Sequence, residues 1–285
     1  MFTNILKFFK GLKKIDRLDE IEQRLKKTYS IVKTMNQTQQ KISFFKNGEL
    51  FQDIQNNSNI RELALTEIFK DIEDLLLPLG AIDENTSHPN KVDMLYVVAI
   101  AKYKKSANIF EFGTLFGKTT YYLTFSSDNP KIFTLDLPQE KLPLSGNNLG
   151  FYYKNTDREK FVTQLLCDSR EFDTSPYRKK MDFIFVDGDH THEMVKNDTK
   201  KAFEMLAPGG IILWHDYSPK KIDLVGYFQE FTKQTPLFRI KDTSLLLYID
   251  GIDPMTFTPV ETRVKKDMES NEAKIKSKMA FLLDD

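Results

Sequence analysis

The sequence predicts an α/β protein built on a mostly parallel sheet with helices on both faces, and three observations carry that prediction. The first is the stretch Asn108 to Leu123, where an apolar run, a glycine turn and a helical run follow one another. Ile109, Phe110 and Phe112 suit a buried parallel strand and Gly113 to Gly117 a tight turn. Thr119 onward suits a helix whose first backbone amides face whatever the turn holds. The second is the alternation of strand-like and helix-like segments from there to Ile249, as helical crossovers between parallel strands require. The third is that Glu111, Asp136, Asp168, Asp187, His190, His215 and Asp216 all stand at the C-terminal ends of predicted strands. A parallel sheet gathers those ends on one edge, where open α/β sheets keep their ligands.

Composition sets the bounds. A chain of 285 residues exceeds a typical domain of roughly 100–200, so one full α/β domain with extensions is expected. Its 41 basic and 41 acidic residues cancel, which gives no global electrostatic signature for nucleic acid. The single cysteine, Cys167, excludes an intramolecular disulfide and a cysteine-based zinc site. Its place in an apolar strand pattern predicts a buried thiol, and a reducing, cytoplasmic setting is expected. No apolar run approaches the roughly 20 residues needed to span a bilayer.

Four segments are expected: residues 1–45, 46–105, 106–251 and 252–285. In the first, Met1 to Leu12 has a basic amphipathic helix pattern, read either as peripheral membrane contact through residues 1–14 or as an arm packed on the protein or a second subunit. Leu18, Ile21, Leu25, Thr28, Val32 and Met35 follow a heptad seam that can pair with a copy of itself, giving a homo-oligomer, or fold onto the core. In the second, Asn57 to Asn59 offers caps for a helix over Arg61 to Leu77 that buries Leu63, Leu65, Ile68, Ile72 and Leu76. Pro89 to Lys105 is a further helix.

The third segment continues with strands over Lys131 to Asp136, Phe161 to Cys167, Met181 to Val186 and Ile211 to Trp214. Helices are expected over His192 to Leu206 and Lys221 to Lys233, a turn at Pro208 to Gly210, and a closing hairpin of Leu237 to Ile240 with Ser244 to Ile249. The loop Leu137 to Asp157 is longer than a plain connection needs and reads as a lid. The fourth segment is a charged tail, expected to be helical.

Chemistry narrows the ligand. A carboxylate at Glu111, beside the glycine turn, would repel a pyrophosphate, so the turn suits a cationic cofactor carrying an amino group and a sulfonium. Any one of the strand-end acids could instead cap a helix or a turn.

These residues carry a resemblance. Glu-Phe-Gly-Thr-Leu-Phe-Gly-Lys-Thr, Phe-Val-Asp-Gly-Asp-His-Thr-His-Glu and Pro-Gly-Gly-Ile-Ile-Leu-Trp-His-Asp-Tyr occur in that order. Over Ile109 to Ile249 the chain resembles class I S-adenosylmethionine-dependent methyltransferases, in the group of bacterial sugar and macrolide O-methyltransferases and cephalosporin-pathway proteins. The resemblance implies a Rossmann-like, mostly parallel seven-stranded sheet. It assigns Glu111 and the Gly113 to Gly117 backbone, Thr114 included, to the methionine end of S-adenosylmethionine, with Thr119 also in the cofactor set. Asp136 is assigned to the ribose hydroxyls, and Asp168 with Ser169 to the adenine edge.

Leu115 departs from the general glycine-rich loop in the way metal-dependent catechol-type enzymes do. Asp187 and Asp216, with His215 as third candidate, are therefore expected to ligate a divalent ion such as Mg²⁺. Both acids capping turns is the alternative. His190 is either the general base or a structural hydrogen-bonding group. The implied reaction is metal-assisted methylation of a hydroxyl on a sugar or other small molecule. A nicotinamide-dinucleotide oxidoreductase, or a non-catalytic interaction protein using the N-terminal helices, is the rival.

Overall fold

In this computed structural model the sheet has eight strands in the order β1-β7-β8-β6-β5-β2-β3-β4. They are β1 (Arg61–Leu63), β2 (Asn108–Phe112), β3 (Lys131–Asp136), β4 (Val162–Leu166), β5 (Met181–Val186), β6 (Leu206–Trp214), β7 (Phe238–Ile240) and β8 (Leu246–Ile249). All neighbours pair in parallel except β8, which is antiparallel to β6 and β7. The structure describes residues 48–56, 58–77, 91–142 and 148–257, and the chain divides into the units Met1–Ile54 and Gln55–Asp285. In the first unit residues 48–54 are helical; the expected amphipathic helix, heptad seam and C-terminal tail beyond residue 257 lie outside the described residues. Among the described residues no helix is long and apolar enough to cross a membrane.

Strand alternation sorts the core into two faces. Ile109, Ile132, Phe183, Phe185, Ile211 and Leu213 point into a cluster with Val97, Ile100 and Ala101 of helix α1 (Lys91–Tyr103) and Leu123 of helix α2 (Lys118–Leu123). Phe110, Ile184, Ile212 and Trp214 alternate with them toward the opposite face. There helices α3 (His192–Met205) and α4 (Ile222–Phe231) pack, with Trp214 edge-on to Phe228 at 5.5 Å and donating its indole N–H to Thr199 at 2.9 Å. Each such large side chain, fully buried, contributes about 1.5–3 kcal/mol. That double-sided burial is why the central strands read as continuous apolar runs rather than alternating ones.

The structure corrects several expectations. Arg61 to Leu77 is not one helix: it is β1, a single turn at Leu65–Ile68 and a 3-10 turn at Ile72–Asp74. Parallel pairing to β7, a Lys241 amide donating to the Leu63 carbonyl at 2.9 Å and an Arg239–Glu62 ion pair at 2.7 Å outweigh the local helical pattern. Leu63 is fully buried as expected, but Leu76 is 86% exposed. β1 also makes the sheet eight-stranded rather than seven. β6 begins at Leu206, and the expected turn at Pro208 to Gly210 is a register shift within its pairing to β5. β4 ends at Leu166, so Cys167 lies beyond the strand and is half-buried rather than buried.

Candidate active site

The site begins with β2, whose last residues lead into a turn only glycine could make at its first position. Gly113 has φ of 93°, and a Cβ there would stand 2.2 Å from the Asp187 carbonyl oxygen. Removing the side chain therefore brings the loops after β2 and β5 together. A cavity of about 1110 Å³ opens beside the turn, just above the usual ligand range of roughly 300–1,000 Å³. Glu111, Gly113, Thr114, Gly117, Thr119, Asp136, Asp168, Ser169, Asp187 and His190 all line it, as expected for one strand edge. His215 and Asp216 stand just past β6, tied to this set through Asp187 and His190.

Glu111 is 1% exposed, inside β2. Its Oε2 accepts from Thr120 Oγ1 at 2.5 Å and from Thr134 Oγ1 at 2.7 Å. Burial pushes the carboxyl up to about 8; the two hydroxyls oppose that rise, and Asp187 and Asp136 add to it. A buried carboxylate with acids for neighbours is a site for a cation. Its tight glycine turn, deep carboxylate and large cavity fit the methionine end of S-adenosylmethionine.

Asp136 ends β3 with Oδ2 accepting from the Thr114 and Leu115 amides at 2.9 and 2.8 Å and Oδ1 from Leu137 at 2.7 Å. A carboxylate offers about four lone-pair directions, so this arrangement leaves one for a ribose hydroxyl, not the expected two. Asp168 is paired with Arg170 at 2.6 Å, and the guanidinium and amide of Arg170 hold its carboxyl down at about 2. Ser169 receives Asn197 Nδ2 at 3.3 Å on its hydroxyl and the Lys201 ammonium on its carbonyl. Lys201 also donates to the carbonyls of Arg170 at 3.0 Å and Phe172 at 2.7 Å, so α3 fixes the loop after β4.

The expected metal triad is not arranged around an ion. Asp187 Oδ1 lies 2.9 Å and Asp216 Oδ1 3.3 Å from Nδ1 of His215, and Asp93 Oδ2 of α1 lies 3.3 Å from its Nε2. Burial alone would lower this imidazole, but Asp187, Asp93 and Asp216 raise it to about 10. An imidazolium donates through both nitrogens and has no lone pair for a metal. Among the described residues no group of three or more His, Cys, Asp or Glu side chains is arranged as a metal site. The acids expected to ligate a divalent ion, together with Asp93, instead close on the His215 ring.

His190 is the other histidine of the site, 36% exposed, with Nδ1 3.3 Å from Asp216 Oδ2. Asp216 has φ of 65°, a left-handed conformation uncommon for aspartate, which turns the chain after β6 so that one carboxylate meets both histidines. His192, by contrast, packs edge-on to Tyr227 at 5.2 Å and is away from this pair.

Sequence reasoning missed Thr120, Thr134 and Asp93. The first two were legible in principle: Thr134 is the direct ladder partner of Glu111, which a correct β2–β3 register would have revealed. Asp93 had no local signal, since only the docking of α1 brings it to His215 and to Ser244, whose hydroxyl donates to it at 2.5 Å.

Part of the chain is similar to known proteins. Residues 110–217 match the profile of a family described as a methyltransferase domain. No curated protein matches the sequence. Among solved structures, TomG of Streptomyces achromogenes, an O-methyltransferase of tomaymycin synthesis in complex with S-adenosylmethionine, is 12% identical over 56% of this chain and 80% of its own, with a TM-score of 0.42. An O-methyltransferase of Bacillus cereus bound to S-adenosylhomocysteine is 16% identical over 64% and 97%, at 0.44. A caffeoyl-CoA O-methyltransferase-like protein of Staphylococcus aureus is 17% identical over 73% and 100%, at 0.45. Residues 110–217 thus match a methyltransferase domain, and the sheet they help build is mostly parallel.

Proposed function

We propose that this chain methylates a hydroxyl oxygen of a small molecule, a sugar among the candidates, with His190 as the general base. The observation that carries this reading is the His190–Asp216 pair. Asp216 Oδ2 stands 3.3 Å from Nδ1, so a proton placed on that nitrogen would leave Nε2 to accept the one a hydroxyl nucleophile gives up. The cofactor supplies the electrophilic methyl on its sulfonium. Glu111 accepts the ammonium of the cofactor's amino-acid end and Asp136 a ribose hydroxyl, which together align the methyl for transfer. Room for an acceptor beside the cofactor is consistent with the cavity's size.

No step runs through a metal. Asp187 and Asp216 hold His215, and His215 holds them, so the acid pair that was expected to grip an ion instead fixes the carboxylate that orients the base. The test is turnover of labelled S-adenosylmethionine with a panel of hydroxyl acceptors. His190→Ala and Asp216→Asn should each lower kcat by about 10²–10⁴-fold with little change in cofactor affinity, and activity should persist in excess chelator. Full activity in His190→Ala, or arrest by chelator that added Mg²⁺ reverses, would overturn this reading.

A further inference from the structure

The polar row that holds Glu111 continues past Thr134. Thr134 is paired with Gln164 across the β3–β4 ladder, and directly opposed residues share a face, so Glu111, Thr134 and Gln164 line up across three parallel strands. Gln164 Nε2 donates to Thr114 Oγ1 at 2.9 Å, the Thr114 and Thr134 hydroxyls are 2.7 Å apart, and Thr134 Oγ1 donates to Glu111 Oε2 at 2.7 Å. The Thr134 proton is thus committed to Glu111 and the Thr114 oxygen already accepts from Gln164. The Thr114 proton must then go to Thr134, and every donor in the chain points toward Glu111.

The outer end of the row is fixed by Tyr153. Its hydroxyl donates to Gln164 Oε1 at 2.6 Å, while the Thr134 carbonyl takes Nε2 at 3.1 Å, so both ends of the amide are assigned. Tyr153 is 2% exposed, and its ring is wedged between two glycines. A Cβ on Gly117 would stand 2.7 Å from its ring, and one on Gly150 2.5 Å from its hydroxyl. The Gly150 and Tyr152 amides donate to the Leu115 and Phe116 carbonyls at 2.8 and 3.0 Å. The second half of the β3–β4 loop, expected to be a lid, is therefore docked on the glycine turn as a buttress.

We propose that Tyr153 is a positioning residue: through Gln164, Thr114 and Thr134 it presents the Glu111 carboxylate to the cationic amino-acid end of the cofactor, and so selects the whole cofactor over a nucleoside lacking that end. This rests on the reading that the cofactor's methionine end lies at Glu111. Hydroxyls that were free to rotate would solvate a carboxylate in many arrangements; a row with both ends fixed holds it in one, already oriented before the ligand arrives.

The test is calorimetry on the full chain with S-adenosylhomocysteine, which carries the amino-acid end, and with 5′-methylthioadenosine, which lacks it. Tyr153→Phe deletes one hydroxyl and should weaken S-adenosylhomocysteine by about fivefold, the effect of one neutral hydrogen bond, while leaving methylthioadenosine within about twofold. Thr134→Val interrupts the row with the phenol in place and should give the same selective loss; Thr134→Ser keeps the hydroxyl and should retain wild-type preference. Equal weakening of both ligands in Tyr153→Phe, as a merely structural role would give, overturns the proposal, and so does no change in either. A wild-type chain that binds S-adenosylhomocysteine no better than methylthioadenosine fails at an earlier point, because Glu111 would then not meet the amino-acid end at all.

Discussion

Two buried ionisable groups flank β5, Glu111 within β2 and His215 just past β6, and they are compensated in opposite ways. Glu111 is an acid held by two hydroxyls, with no cation paired to it among the described residues. His215 is a base held by three acids. The first has its charge suppressed and the second has its charge enforced, although both are buried nearly to the same degree. Burial by itself disfavours charge in either residue, so what separates them is partners. An uncompensated group is one that a ligand completes, whereas a compensated group is part of the frame. On the proposed reading, Glu111 then belongs to binding and His215 to the frame.

The largest effect should come from breaking the compensated side. His215→Ala leaves three acids facing one another without their cation, and removal of one partner from a buried charge network typically costs about 3–5 kcal/mol. Denaturant unfolding should show that loss, and activity should fall with it because Asp216 is no longer held for His190. A variant of unchanged stability would mean that the acids were never balanced by this ring.

Glu111→Gln should do the converse. The amide keeps the shape and removes a carboxylate that is already neutral below about pH 8 in the free protein, so stability should hold. Binding of S-adenosylmethionine should weaken by roughly tenfold or more, since hydrogen bonds to charged groups contribute about 1.5–3 kcal/mol. Calorimetry and thermal unfolding of the same sample separate the two outcomes.

The pH dependence sharpens the contrast further, with a smaller effect. Glu111 titrates near 8 when folded and near 4.5 when unfolded, so between those values the folded state binds more protons and stability falls as pH rises. His215 titrates near 10 when folded against 6.5 unfolded, so its contribution is complete below 6.5 and is lost as pH rises through 10. Melting temperatures across pH 5 to 10 should therefore decline in two overlapping stages, the earlier one absent in Glu111→Gln. Because a bound cation favours the ionised carboxyl, cofactor binding near pH 7 should also release protons, seen as a buffer-dependent calorimetric heat that the same variant abolishes.

Much of this arrangement was legible in the sequence because strand ends are local features. An apolar run followed by an acid places that acid on the edge of the sheet without any knowledge of the partners, and Glu111, Asp136, Asp187 and His190 were found in this way. What was not legible depended on register and docking. Thr134 and Gln164 look like ordinary strand residues until the β2–β3–β4 ladder aligns them with Glu111. Asp93 reads as one charge in the first turn of α1, and only the packing of that helix makes it the third acid on His215. The contacts of His215 were hidden for the same reason: two acids on neighbouring strand ends do suit an ion, and only the folded arrangement places the ring between them. β1 was lost because three residues are too few for a periodic signal, and their pairing partner lies at the far end of the domain.

That last pairing bears on how the chain is made. Glu62 and Arg239, joined across β1 and β7, are 177 positions apart. A ribosome releases the segment that becomes β1 long before the strand it pairs with exists, and a ladder closed over such a span belongs to the slow, non-local part of folding. The domain's first strand is then its last to be seated. Its short length and the charges of Arg61 and Glu62 are what keep an edge segment soluble through that wait.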